Sequence, residues 1–283
     1  TYHAWGYATK EEMEKFGRRY NPCGEMYTDA DGNKHYYTDQ TDNYLQKNYQ
    51  LLLNHSFSTA WNLNVALHYT KGDGYYEEYK PGSSLVEYGL KPFNPDGTET
   101  NESDLVRQKK MDNKFGGGVF SLNYTGNRLT ASLGGGLNQY RGNNFGKVTW
   151  VKNYIGILSP EHEYYRNKSK KTDGNIYLKA NYDLTSTLSA YADLQYRHID
   201  YTIDGVNDKY DWNKNALRPL AVDKKFDFFN PKVGLNWNIT PNHRLYASFS
   251  VAQKEPTRNN YTDGDPDSYP KAEKLLDYEV GYT

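Results

Sequence analysis

Seven histidines, at positions 3, 35, 55, 68, 162, 198 and 243, are the side chains of this sequence best suited to metal or acid–base chemistry. Their spacing supports neither use. There is no HExxH and no i, i+4 pair, so no helix face could present two imidazoles to one ion. His162 stands between Glu161 and Glu163, which could hold a cation, though a solvated charged loop would carry the same three residues. Asp29-Ala30-Asp31-Gly32-Asn33 and Asp263-Gly264-Asp265 offer calcium-like oxygens without the bidentate glutamate, and read as turns. Cys23 is the single cysteine, which rules out an intrachain disulfide and a cysteine zinc cluster, and it reads as a plain loop residue. With no GxSxG elbow and no Walker motif either, the expectation is a protein that is not an enzyme and uses no cofactor or metal.

Binding is the chemistry these residues can support. Tyr75, Tyr76 and Tyr79 follow a strand end, and Tyr164 with Tyr165, Tyr210 with Trp212, and Trp150 with Tyr154 are similarly placed. Together with Arg258, these rings suit a flat, anionic or sugar-like ligand through stacking and charge. The same rings could instead brace loops against one another or form an interfacial girdle.

The elements that would carry them follow from a period of two. Trp61, Leu63, Val65, Leu67 and Tyr69 alternate with Asn62, Asn64, Ala66 and His68. Leu188, Ala190, Ala192, Leu194 and Tyr196 alternate in the same way with Ser189, Tyr191, Asp193 and Gln195. The pattern returns at residues 176–184, 233–239 and 245–251, so the chain is all-β, each strand having one apolar and one polar face. Short turns fall at 58–60, 125–128, 184–187 and 240–243, and long loops are expected at 81–103, 151–163, 200–225 and 254–274. A short helix is expected within 10–19. Two glycine triplets, 116–118 and 134–136, are expected to face each other across a hairpin as a smooth, bendable patch.

Composition narrows the class. The chain has 283 residues with a formal net charge of −1, 36% hydrophobic and 16% aromatic content including 29 tyrosines, and a mean hydropathy of −0.97. No apolar run is long enough for a spanning helix. The neutral balance gives no nucleic-acid-binding face, and the aromatic content argues against disorder. Thr1 opens in mid-pattern, so any signal peptide is expected outside this segment.

Uninterrupted alternation over a whole bilayer crossing points to strands that span a membrane, which is possible only in a closed barrel. Trp61, Tyr69, Tyr182, Tyr196 and Trp237 lie near the ends of the apolar faces, where interfacial rings settle. Lys179, Asp183, Asp193, Arg197, Lys232 and Asn236 would line the interior. Roughly nine or ten strands are expected, with first and last unpartnered, as in an up-and-down transmembrane barrel segment of a larger barrel.

Several pieces resemble TonB-dependent outer-membrane receptors, particularly those of Bacteroidetes. They are residues 1–5 (TYHAW), 37–44 (YTDQTDNY), 68–80 (HYTKGDGYYEEYK), 230–234 (NPKVG), 246–250 (YASFS), 255–261 (EPTRNNY) and 271–282 (KAEKLLDYEVGY). Their order and spacing carry the resemblance across nearly the whole chain. It departs from the usual pattern at 6–14, where a shorter loop is common, and at Lys254, where arginine often precedes Glu-Pro. The resemblance implies a 22-stranded barrel with a plug inside it, of which residues 1–283 would be a partial barrel domain without plug, TonB box or final strands. It further implies a Gram-negative outer-membrane location and TonB-driven import of a small-molecule nutrient bound at extracellular loops. A ferric siderophore or other iron complex is favoured, because the motifs are unlike the glycan-importing branch. The partners would be TonB, outer-membrane lipid and the nutrient. A passive porin, a glycan or cobalamin importer of the same fold, and a soluble β-rich surface binding module are the alternatives.

Overall fold

The computed structural model describes residues 1–283 except Trp5, 92–95, 153, 155–157, 160–161 and 266–267. In chain order the elements are β1 (Tyr2–His3), α1 (Lys10–Phe16), β2 (Glu25–Thr28), β3 (Lys34–Tyr36), β4 (Thr41–Ser56), β5 (Trp61–Ser84), a single 3-10 turn (Leu85–Tyr88), β6 (Glu102–Thr125) and β7 (Leu129–Val151). There follow β8 (Glu163–Asp183), β9 (Leu188–Asp211), β10 (Ala216–Thr240), β11 (His243–Lys254), α2 (Arg258–Thr262) and β12 (Glu273–Tyr282). Ten strands form one antiparallel sheet in the order β1-β4-β5-β6-β7-β8-β9-β10-β11-β12, and β2 pairs with β3 in a separate hairpin. Each strand from β4 onward lies beside its neighbour in sequence, the up-and-down arrangement. The sheet does not close on itself.

The alternating segments form strands as expected, and the faces sort as a membrane wall requires. Leu178, Leu194 and Leu235 are 49%, 40% and 49% exposed on one face. Leu63, on the same face, is half-buried. Trp61, Tyr182 and Trp237 stand exposed on this face toward the short-turn end, and Tyr69 and Tyr196 further along it. On the opposite face Lys179 pairs with Asp193 at 3.4 Å. Greasy side chains left outside a dry core make sense only against hydrocarbon, and the polar face then lines the interior.

Four features differ from the sequence reading. The strands run far beyond their apolar stretches, because past the bilayer water can serve side chains on both faces and the Tyr, Thr and Val content still favours the ladder. Residues 200–225 are therefore not a loop: β9 and β10 pair from Tyr210↔Leu217 down to Asp200↔Lys225, with one shift between Leu217 and Pro219. The density of Asp, Gly and Lys there marks a wet ladder. The glycine triplets are staggered, Gly118 pairing with Leu137 and Gly136 with Val119, so they abut diagonally instead of facing. Finally, α1 is shorter than 10–19. It starts at a capping box in which Thr9 Oγ1 accepts from the Glu12 N–H and Glu12 accepts from the Thr9 N–H, and it ends before Gly17.

Dry packing is concentrated at the long-loop end of the inner face. One cluster joins Leu85, Tyr88, Leu90, Leu105, Val148, Tyr164 and Tyr165. The other joins Ile199, Tyr201, Ile203, Leu220, Val222, Phe228 and Tyr261.

Candidate ligand-facing site

Parity along the strands decides which aromatic side chains meet the interior. β5 and β6 pair without interruption from Trp61↔Tyr124 to Lys80↔Leu105. Tyr76 therefore shares the inner face with His68, while Tyr75 and Tyr79 share the outer face with Trp61. None of the three follows a strand end, since all lie within β5. Trp150 pairs with Val106, which pairs with Tyr79, so it too is outside.

The outer rings serve one another. The Tyr79 and Trp150 rings stack at 6.3 Å, and Tyr37 lies 6.0 Å from Tyr79 on its other side. The Tyr79 hydroxyl donates to Asp104 Oδ2 at 2.7 Å. Burial and this bond push the phenol up to about 12. Burial alone would raise Asp104, but the Gly82 N–H, Tyr79 and Lys152 outweigh it and hold the carboxyl below its usual range. Tyr75 lies under the Lys110 ammonium at 4.3 Å. Tyr210 is not one of the outer rings: it pairs with Leu217, which packs on the cluster of Tyr88, Tyr164 and Tyr165, and it meets the exposed Trp212 edge to face at 4.9 Å.

The inner face assembles a different group. Tyr76 from β5, Lys109 from β6 and Tyr165 from β8 line one open groove with Tyr44, Met111 and Asn144. The Lys109 ammonium lies 5.9 Å from the Tyr76 ring centre and is paired with Asp208. Burial would lower the Lys109 pKa, but Asp208 more than offsets that and raises it, so this cation persists at any physiological pH. Burial raises the Tyr76 pKa and keeps that ring a neutral phenol. Beside them Arg107 forms a fork on Glu78, at 2.8 Å from Nε and 2.7 Å from Nη2, and donates through Nη1 to the Tyr88 hydroxyl at 3.1 Å. The rings of Tyr88, Tyr164 and Tyr165 follow one another at 4.7 and 5.0 Å, the first pair tilted and the second edge to face. Gly146 makes room for the last two, since a Cβ there would sit 2.3 Å from the Tyr164 ring and 2.4 Å from that of Tyr165. The Tyr164 hydroxyl is buried with no protein partner.

The β11–β12 connection folds back over this face. Glu255 accepts from Lys171 and from Arg197, whose guanidinium also grips Asp173 at 2.5 Å. Burial alone would raise the Glu255 pKa, but the two cations outweigh it and hold the carboxyl below its usual range. The Arg258 Nη2 donates to Asn167 Oδ1 at 2.6 Å, while its Nη1 is buried without a partner. Tyr261 is 2% exposed, wedged edge to face against Tyr201 and Tyr269. Burying such a ring contributes roughly 1.5–3 kcal/mol, enough to dock a short connection. Of the candidates, then, Tyr76, Tyr164, Tyr165 and Arg258 lie together on the inner face.

Sequence reasoning did not find Lys171, Asp173 and Glu255. Parity already placed Arg197 inside, but nothing local joined it to a glutamate across the sheet. His162 lies 2.6 Å from the Tyr88 carbonyl through Nε2, and Glu163 is held by Arg166; Trp5 and Glu161 fall outside the described residues. Among the described residues no group of three or more His, Cys, Asp or Glu could hold a metal ion.

The chain resembles solved structures at low identity. It matches the ferric-catecholate import receptor Fiu from E. coli K12 at 14% identity and a TM-score of 0.55, over 92% of this chain and 42% of that one. The siderophore receptor PiuA from Acinetobacter baumannii matches at 12% and 0.55, over 86% and 38%. The ferric citrate transporter FecA matches at 12% and 0.56, over 93% and 36%. The chain thus spans less than half the length of each, and the likeness is one of fold. No curated protein matches it. Residues 3–283 match the family described as TonB dependent receptor-like, beta-barrel, and a ten-stranded up-and-down sheet with its apolar face outward is the wall such a barrel needs: the chain belongs to the β-barrel domain of TonB-dependent receptors of the Gram-negative outer membrane.

Proposed function

We propose that the protein is an active-import receptor for a ferric siderophore or another anionic iron complex, and that residues 1–283 supply part of its barrel wall and of its ligand vestibule. The observation that carries this reading is the inner-face group of Tyr76, Lys109, Tyr164, Tyr165 and Arg258. Two buried donors there, the Tyr164 hydroxyl and Arg258 Nη1, have no protein partner, and unsatisfied donors beside cations and rings suit the oxygen-rich, negatively charged rim of an iron chelate. Fiu, PiuA and FecA are named for ferric-catecholate import, siderophore reception and ferric citrate transport, which supports the same ligand class. A plug and the remaining strands would complete the whole receptor, and TonB would supply energy through that plug. The site performs no covalent chemistry in this reading: it holds the ligand by charge and stacking until the interior opens.

Fluorescence titration of the whole receptor with ferric catecholates and ferric citrate tests this. Binding is expected, and K109Q with R258Q should weaken it at least tenfold. Uptake of the radiolabelled iron complex by cells should require TonB. Absence of binding by any iron chelate, or ligand passage in cells lacking TonB, overturns the proposal; steady conductance in a planar bilayer would favour the porin.

A further inference from the structure

Charge divides the inner wall into two sectors. On β4–β7 the inward rows run from Tyr44↔Gly74↔Met111↔Asn144, at the ligand-facing groove, to Ser56↔Asn62↔Asn123↔Ser132 at the short-turn end. Among the described residues, no inward position within those rows is Asp, Glu, Lys or Arg. At the same heights β8–β10 carry Lys171, Asp173, Lys179, Asp193, Arg197 and Lys232. Lys179 pairs there with Asp193, and Arg197 joins Asp173 to Glu255.

The uncharged sector is also recessed. Gly72, Gly74, Gly117, Gly134, Gly136 and Gly142 all face inward on it. Larger side chains lie flat across some of these gaps: a Cβ at Gly72 or Gly74 would strike the Tyr44 ring, and one at Gly134 that of Tyr177. Leu52, Ala66 and Val119 make one apolar row at mid-height. Most of the remaining inward groups are amides and hydroxyls. Thr70 donates to Asn48 at 2.8 Å, Asn64 to Asn62 at 2.8 Å and Ser132 to Asn123 at 2.7 Å, while the His68 ring lies 2.8 Å from Asn138 Oδ1. From Gly74 to Asn62 β5 covers roughly 40 Å, about 30 Å of height at the tilt of barrel strands, so the sector is continuous across the hydrocarbon layer.

We infer that the iron complex crosses the membrane along this sector, entering at Tyr76 and Lys109 and descending over the β5–β7 glycines to the short-turn end. The inference rests on the import reading and adds its route. A route must release its passenger as readily as it accepts it. A fixed cation would hold an anionic chelate and a fixed carboxylate would repel it, whereas neutral hydrogen bonds are individually weak and exchange with water. Missing side chains give a bulky complex clearance beside the backbone. The β8–β10 half, with fixed charges at most heights, lacks the first property.

The test uses the whole receptor in cells, with uptake of radiolabelled ferric citrate or a ferric tris-catecholate measured beside binding of the same complex. Ala66 and Val119 pair with each other at mid-sector, well below Tyr76 and Lys109. A66K, A66D, V119K and V119D should each slow uptake at least about fivefold, the effect of one unit charge near contact in a wet interior. Binding should be unchanged, which also shows that each variant is folded. If A66K does not assemble, V119K, at a position 43% exposed, carries the test. A66Q and V119Q, long but neutral, should import at the wild-type rate, as should Q195K and S248K, charged but on the other half of the wall. Wild-type uptake by the charged variants overturns the inference. Equal slowing by the glutamine variants does so too, because the sector would then be a packing surface, and equal slowing by Q195K and S248K removes the distinction between the halves. A wild-type receptor that imports neither complex defeats the import reading and the route with it; normal import with indifferent variants defeats the route alone.

Discussion

Leu194 and Gln195 are adjacent in β9 and point to opposite sides, so an arginine at each asks the same chain position two different questions. Leu194 pairs with Leu178 and Pro231 on the outer face. From Leu188, the first residue of β9, six steps cover roughly 20 Å along the strand and about 15 Å of height, the middle of a hydrocarbon layer of about 30 Å. Arginine there should cost about 2–4 kcal/mol. Gln195 pairs with Tyr177 and Asn230 on the inner face, and its Oε1 accepts from Asn230 at 3.3 Å. Arginine at that site gives up one exposed hydrogen bond and stays in water, at a cost of about 1 kcal/mol or less. Reversible urea unfolding of the whole receptor in phospholipid vesicles measures both. L194R should lower the folded-to-unfolded ratio roughly 30- to 1000-fold, and Q195R by less than about tenfold. Equal losses, or a larger loss for Q195R, would refute the assignment of faces and with it the membrane-wall reading.

Three further outcomes follow from single sites. E255Q removes the charge that Lys171 and Arg197 share and should release the β11–β12 connection, at roughly 1–3 kcal/mol after allowance for water at the open face; hydrogen exchange across 255–262 should quicken while β8 and β9 stay protected. The wild-type clamp should respond to acid in the same direction. Glu255 titrates below its ordinary 4.5 in the folded state, so its contribution is complete above that pH and is lost as pH falls through the lowered value; protection across 255–262, taken relative to the intrinsic exchange rate at each pH, that does not fall on acidification below 4.5 would contradict this. G205A should destabilise by about 1–3 kcal/mol, because Gly205 holds φ +121 and a Cβ would meet the Arg166 carbonyl at 2.3 Å; an unaltered melting temperature would show that the backbone relaxes there.

How much of this was legible depends on the range of the interaction. The apolar stretches were readable because lipid on one side and water on the other impose a two-residue period on neighbouring side chains, as in 61–69 and 188–196. The short turns were readable for the same local reason. The upper halves of the strands were not, because above the bilayer neither face is forced to be apolar; Tyr201↔Lys224 and Ile203↔Val222 are held by the ladder and by packing against Tyr261. The Glu255 clamp was unreadable in a stronger sense: its partners lie 84 and 58 residues away, and only register across β8 and β9 brings Lys171 and Arg197 to one side. The sorting of the tyrosines is the instructive case, because its signal was local and available. Counting by twos from Trp61 sends Tyr75 and Tyr79 outward and Tyr76 inward, provided the strand does not stop. Treating the aromatic run as the start of a loop discarded that parity. Since an uninterrupted ladder conserves it, Tyr76 is the member of the three whose replacement by alanine should weaken ligand binding, while Tyr75 and Tyr79 should act only through the stability of the outer wall.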